Sequence, residues 1–339
     1  MKAMLCALPF VLAAATAQAE ETLAIYNWGD YINPEVLTKF TAETGIKVTL
    51  DTYSSNEEML AKIQAGATGY DIVLPSVWMQ DIMVKLGLLE QTNIDKDPAF
   101  ANIDPAFLRS KEDPASSYCL PYAWGTVGIF YDESQTGPIK GWKDFFEIPA
   151  KTGKKITLLD DMREVLGMGL IMTGKSVNST DPAEIQAAAD YVIGHKKDVT
   201  AFTYESMALL QSGDIAAAHY FVGGNVFFVD KPNVKYVIPE EGATMYQENL
   251  CVLKDAPHKE AAMKFLQFYL KPEIAALNVS QQFNGTPNKP ANELTPDFIK
   301  SNPNINVPAE TLSRLQIFQD LGAALKFYDR AWNAIRTAQ

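Results

Sequence analysis

The sequence predicts an α/β protein built on parallel sheet, and three observations carry that expectation. Residues 22–89 alternate strand, helix, strand, helix, strand at short spacing. A second alternation begins near 154, and one long apolar and aromatic run, "YCLPYAWGTVGIFYD" (118–132), separates the two. Such alternation implies parallel strands joined by right-handed crossovers.

The elements follow from local chemistry. "TLAIYN" (22–27) reads as a strand, and Asn33 before Pro34 opens a helix by cap and proline, ending near Gly45. "IKVTLDTY" (46–53) is a second strand. Ser55 and Glu58 form an S-x-x-E capping box ahead of a helix that stops at Gly66. "YDIVLP" (70–75) gives a third strand and "WMQDIMVKLGLL" (78–89) a helix. The 118–132 run, with one proline and two glycines, suits a strand passing from one lobe to another. "KKITLLDD" (154–161) leads into a helix over 162–174, and "DIAAAHYFVGGNVFF" (214–228) is a strand ending at a glycine pair. Residues 235–256 give two more strands and 258–277 a helix, with 301–308 a surface loop before a final helix pair.

The first nineteen residues, "MKAMLCALPFVLAAATAQA", have the pattern of a secretory signal cleaved near Ala19, with Cys6 discarded alongside it. No other stretch approaches the roughly twenty apolar residues that cross a bilayer, so an exported, soluble product is expected. About 320 residues remain, enough for two domains. The leader carries Lys2 and no acid, so the chain's net charge of −12 becomes −13 without it. That surface disfavours nucleic acid and anionic membranes and attracts cations. Two cysteines, Cys119 and Cys251, survive processing: too few for a disulfide scaffold, enough for one bridge in an oxidising compartment.

Several groups could carry chemistry. Trp28, Asp30 and Tyr31 follow the carboxyl end of the first strand, and Ser76 and Trp78 follow that of the third. Ligands of open parallel sheets bind beyond those ends. Ring faces and a carboxylate would suit a cation; alternatively the two rings roof the core and Asp30 is a turn residue. Asp161 and Glu164 sit at a strand-to-helix junction, where an acid pair is a binding site, the acid and base of a hydrolase, or simply a helix cap. Tyr246 and Glu248 alternate along a strand and share a face, and Phe221 ends a strand where it could stack on a ligand. There is no G-x-S-x-G elbow, Walker loop or G-x-G-x-x-G after a strand, and His195, His219 and His258 lack metal-ligand spacing. No metal, cofactor or catalytic activity is expected.

The segments "YNWGDYINPEVLTKFTAETGIKV" (26–48), "YDIVLPS" (70–76), "PYAWGTVGI" (121–129), "LLDDMREVLGMGL" (158–170), "IPEEGATMYQENL" (238–250) and "GTPN" (285–288) together resemble the spermidine/putrescine-binding proteins of bacterial ABC transporters. The resemblance implies a two-lobed periplasmic substrate-binding fold of type II, each lobe a mostly parallel sheet flanked by helices, joined by hinge crossover strands. It places residues 20–126 and 247–292 in the first lobe and 127–246 and 293–339 in the second. Trp28, Asp30, Tyr31, Ser76 and Trp78 would bind ligand from the first lobe, and Asp161, Glu164, Phe221, Tyr246 and Glu248 would face them. Phe318 stands where some relatives have Gln. Phe221 and Tyr246 replace Trp, Glu248 replaces Asp, and the Phe283-Asn284 region also departs from the family pattern. By the same resemblance Cys119 and Cys251 fall on neighbouring crossing strands and would form a disulfide.

The implied function is capture of a polyamine, putrescine or spermidine, in the periplasm by a monomer that is not membrane-embedded, and delivery to an inner-membrane ABC permease. Alternatives are a polyamine sensor docking on a signalling receptor, a binder of another organic cation or amino compound, with sugars behind these, and a secreted hydrolase using Asp161 and Glu164.

Overall fold

The computed structural model describes residues 21–66 and 68–338, so the leader and its cleavage near Ala19 lie outside the described residues. Ten strands run in chain order: β1 (Thr22–Trp28), β2 (Lys47–Tyr53), β3 (Ile72–Val73), β4 (Cys119–Asp132), β5 (Lys155–Leu158), β6 (Val199–Phe202), β7 (Ile215–Phe221), β8 (Val234–Val237), β9 (Ala243–Val252) and β10 (Leu315–Ile317). They form one sheet in the order β2-β1-β3-β9-β4-β7-β5-β6, with β10 on β9 and β8 on β4. Both ends are parallel, as the alternation predicts: β2, β1 and β3 at one, β7, β5 and β6 at the other. The middle is antiparallel, because β4 and β9 run against each other and join the ends.

Two large cores lie on either side of those crossing strands. One gathers residues from 23 to 123 and from 250 to 291, including Tyr26, Phe40, Tyr122 and Phe265. Another gathers residues from 129 to 217 and from 318 to 335, including Trp142, Phe145, Leu166 and Tyr328. A third, smaller cluster flanks the crossing strands around Phe130, Tyr236 and Met245.

Caps set the helix starts where the sequence places them. Asn33 accepts from the Glu35 amide ahead of Pro34–Thr44, and Gly45 ends that helix at φ 77°, where a side chain would be strained. Ser55 accepts from the Glu58 amide, while the Glu58 carboxylate reaches one residue further back than a standard box, to the Ser54 amide. Three expectations need correction. The third strand keeps only two paired residues, and the following helix stops at Lys85, before Gly87 turns left-handed. The 258–277 helix is two helices, Lys259–Tyr269 and Pro272–Gln282. Pro272 offers no N–H to the preceding turn and holds Lys271 extended, so the apolar pattern continues across a break.

Cys119 and Cys251 face each other across β4 and β9 and are joined by a disulfide. The bond ties the crossing strands beside the first core. It closes a span of 132 residues, and a loop of that length favours the folded chain by about 2–5 kcal/mol. A thiol titration of the denatured, unreduced protein is expected to find none at these positions, and Cys251→Ser to lower stability by about that amount; two free thiols would contradict the bond.

Candidate ligand-binding site

β9 organises the site. Gln247 and Asn249 face one way, where the Gln247 amide donates to the Phe107 carbonyl at 2.8 Å; Tyr246 and Glu248 face the other. Glu248 is buried, yet both carboxylate oxygens are engaged. Tyr31 donates its hydroxyl to Oε2 at 2.7 Å and Ser76 donates to Oε1 at 3.2 Å. Ser76 is itself held by Asn56, whose side-chain amide donates to its hydroxyl and whose oxygen accepts its amide, both at 3.1 Å. The Tyr31 loop is fixed from behind by the Asn278 side chain, which accepts the Asn33 amide at 2.9 Å, and by Tyr122, which donates to the Tyr31 carbonyl. The loops after β1 and β3 thus converge on one carboxylate from β9. Burial pushes that carboxyl up to about 7, against the pull of the Tyr31 and Ser76 hydrogen bonds.

Trp28 lines the same region, its indole N–H donating to the Leu74 carbonyl at 2.8 Å and its ring tilted on Tyr53. Trp78, half-buried, packs against both large cores. Asp30 does not join the group: it is exposed, with φ 52° in the left-handed region that Asp tolerates, which is the turn-residue alternative.

From Glu248 the site continues along aromatic rings. Tyr246 lies flat across β4 opposite Gly125, where any Cβ would overlap its ring, and its hydroxyl donates to Asn284 at 2.7 Å. Phe221 meets Tyr246 edge-on with centroids 5.6 Å apart. Phe221 is in turn parallel to Tyr204, whose hydroxyl reaches Asp161 Oδ2 at 3.4 Å. Asp161 caps the Met162–Met172 helix, its Oδ1 accepting the amides of Arg163 at 2.8 Å and Glu164 at 3.0 Å. The cap and the site are therefore one residue, with Oδ2 left facing Tyr204. Glu164 is buried and accepts from the Thr244 hydroxyl; burial first, then the Asp161 charge, push it up to about 8.

Phe318 lies against the Met162–Met172 helix that carries Glu164. It is 9% exposed, packed in the core near Gly167, with the Arg163 guanidinium 4.4 Å above its ring. Tyr204, Asn56 and Asn284 join the site without having been named as ligand residues from the sequence. Tyr204 had a signal, its position just beyond the carboxyl end of β6; Asn56 had none beyond following the capping Ser55.

The family described as bacterial extracellular solute-binding protein matches residues 35–307. The chain belongs to that family. This solute-binding protein is 32% identical to the spermidine/putrescine-binding periplasmic protein of Escherichia coli (strain K12), over 98% of this chain and 97% of that one. It is 32% identical to the putrescine-binding periplasmic protein SpuD of Pseudomonas aeruginosa (strain UCBPP-PA14), over 97% and 95%. Among solved structures, the spermidine/putrescine ABC transporter substrate-binding protein PotD of Streptococcus pneumoniae superposes with a TM-score of 0.85 at 34% identity, covering 94% of this chain and 99% of that one. The fold of the present solute-binding protein is accordingly the type II periplasmic binding-protein fold.

Both raised carboxyls make a prediction for the unliganded protein. Each titrates higher when folded than the ordinary 4.5, so the folded state holds those protons more tightly. Their contribution to stability is full below about 4.5 and is lost as pH rises through about 7 and about 8. Urea unfolding from pH 5 to 9 is expected to show that decline, and the Glu164→Gln, Glu248→Gln double variant to flatten it. An unchanged slope in the variant would contradict the assignment.

Proposed function

We propose that this chain is a periplasmic polyamine-binding protein, monomeric, that closes two lobes on its ligand and delivers it to an inner-membrane ABC permease without chemical turnover. One observation carries the reading: a buried carboxylate, Glu248, opens onto a row of aromatic rings that leads to a second acidic pair, Asp161 and Glu164. A polyamine is an apolar chain with ammonium groups, so rings suit its methylenes and carboxylates its charges. A desolvated cation–π contact contributes about 2 kcal/mol. The relatives, spermidine/putrescine- and putrescine-binding proteins, support the same ligand class, and among the described residues no helix is long and apolar enough to cross a membrane.

The lobes would be residues 20–126 with 247–292 and 127–246 with 293–339. Their support is that one core draws on segments 23–123 and 250–291 while the other draws on 129–217 and 318–335. Closure then follows from affinity: a ligand touching Glu248 and Asp161 together binds the closed state more tightly than the open one and shifts the population toward it.

The test is isothermal titration of refolded protein with putrescine, spermidine and cadaverine. Saturable one-to-one binding of at least one is expected. Asp161→Asn and Glu248→Gln should each weaken it by about 2 kcal/mol or more, roughly thirtyfold. Unchanged affinity in both variants would show that the ligand is not a cation, and absence of heat with all three amines would remove the polyamine reading.

A further inference from the structure

Away from the crossing strands, the two cores are also joined by side chains outside the ligand site. On one side stands the Val77–Lys85 helix, whose Met79 and Met83 lie in the first core. Asp81 of that helix ties down the segment that follows Arg109: its Oδ1 accepts the Ser110 hydroxyl at 2.5 Å and the Glu112 amide at 3.2 Å, and its Oδ2 accepts the Lys111 amide at 3.4 Å. Opposite lies the turn after β10, whose Phe318 and Leu321 lie in the second core. The Asn178 side chain accepts the Gln319 amide at 2.9 Å, Arg163 donates to the Gln319 carbonyl at 3.3 Å, and Asp320 Oδ1 accepts the Gly322 amide at 2.8 Å. Arg163 sits between Asp161 and Glu164, so this turn is anchored to the same helix start that carries the second acidic pair.

These two anchored pieces meet through two side-chain bonds. Lys111 Nζ donates to Gln319 Oε1 at 2.7 Å, and Lys85 Nζ lies 3.3 Å from Asp320 Oδ2 and 3.5 Å from Glu112 Oε1. Lys85 is therefore shared between a carboxylate beside the first core and one beside the second. When the two sides part it loses Asp320 and keeps Glu112, so the ammonium is never stranded and the contact breaks at small cost. The Lys85 and Asp320 side chains are 49% and 25% exposed, which makes the pair a modest bias that salt weakens. Trp78, near the start of the same helix, packs against both cores. The seam between the two sides thus runs along this helix, from an indole near its start to an ion pair at its end.

We propose that the Lys85–Asp320 ion pair, supported by the Lys111–Gln319 bond, is a latch that favours the closed arrangement of the lobes before any ligand is bound, and so tightens binding through residues that never touch the ligand. The inference rests on the two-lobed reading above and not on which ligand is held. Spin labels are attached at Ala42→Cys on the Pro34–Thr44 helix and Ala187→Cys on the Pro182–His195 helix, one exposed position on each lobe. Their separation is measured by pulsed dipolar spectroscopy in the ligand-free protein, each variant checked for a cooperative thermal transition. The wild type should show a short-distance population at low salt. Lys85→Met and Asp320→Asn, the second of which keeps the acceptor for the Gly322 amide, should each lower its ratio to the long-distance population by about threefold, and the double variant no further. High salt should bring the wild type to the same level, and Lys85→Arg, which keeps the charge, should keep the ratio. Putrescine should bind about threefold more weakly to Lys85→Met and to Asp320→Asn than to the wild type. A ligand-free wild type with no short-distance population, folded single variants with the wild-type ratio, or a double variant that multiplies the two single effects overturns the inference and leaves the polyamine reading standing. The expected distance changes in a protein that binds none of the amines titrated above uphold the latch and remove the polyamine reading.

Discussion

A carboxylate taken out of water without a cation beside it is an unfavourable group, and this chain places one on its crossing strand β9. Glu248 is buried, and among the described residues its two oxygens are met only by hydroxyls, those of Tyr31 and Ser76. Neutral donors lessen the desolvation cost without cancelling the charge, which is why the carboxyl sits up at about 7. The site is thus incomplete in its own electrostatics. In the proposed reading a ligand ammonium supplies what the hydroxyls cannot, and that shortfall is what binding would draw on.

The surrounding structure holds that carboxylate and its aromatic approach in place before any ligand arrives. β9 is fastened to β4 by a long antiparallel ladder and by the Cys119–Cys251 disulfide, and Glu248 projects from it opposite Ala123, where the ladder shifts register. Tyr246 is fixed on three sides: beneath by the missing side chain at Gly125, at its hydroxyl by Asn284, and at its ring by Phe221. On the far side the Met162–Met172 helix directs two amides at Asp161 and so orients its second oxygen. Side chains held in this way would lose little further freedom on binding the proposed ligand, which would lower the entropic cost of capture.

Much of this was legible in the sequence, and the boundary between what was and was not is physical. Local devices could be read directly: the Asn33-Pro34 start, the Ser55 cap and the Asp161 cap each act within three residues, and each is present. The β1 and β3 loops and the face shared by Tyr246 and Glu248 followed from strand period and from where parallel strands end. Contacts between remote segments could not be read that way. Tyr204 meets Asp161 across 43 residues and Ser76 meets Glu248 across 172, and no local pattern announces either. Phe318 was named only by correspondence with relatives, and its packing under the Arg163 guanidinium joins segments 155 residues apart that no local pattern connects. The break at Pro272 was hidden because apolar residues recur at helical spacing on both sides of it.

The central claim, that an incoming cation completes the charge of Glu248, is tested most directly by counting protons. Putrescine is titrated at pH 7 into the wild type and Glu248→Gln in two buffers that differ in heat of ionisation. A carboxyl at about 7 is substantially protonated at that pH, and pairing with an ammonium lowers its pKa. The wild type should release a fraction of a proton per ligand bound, and Glu248→Gln should release less. Binding with identical heats in both buffers, or release unaffected by the substitution, would contradict it.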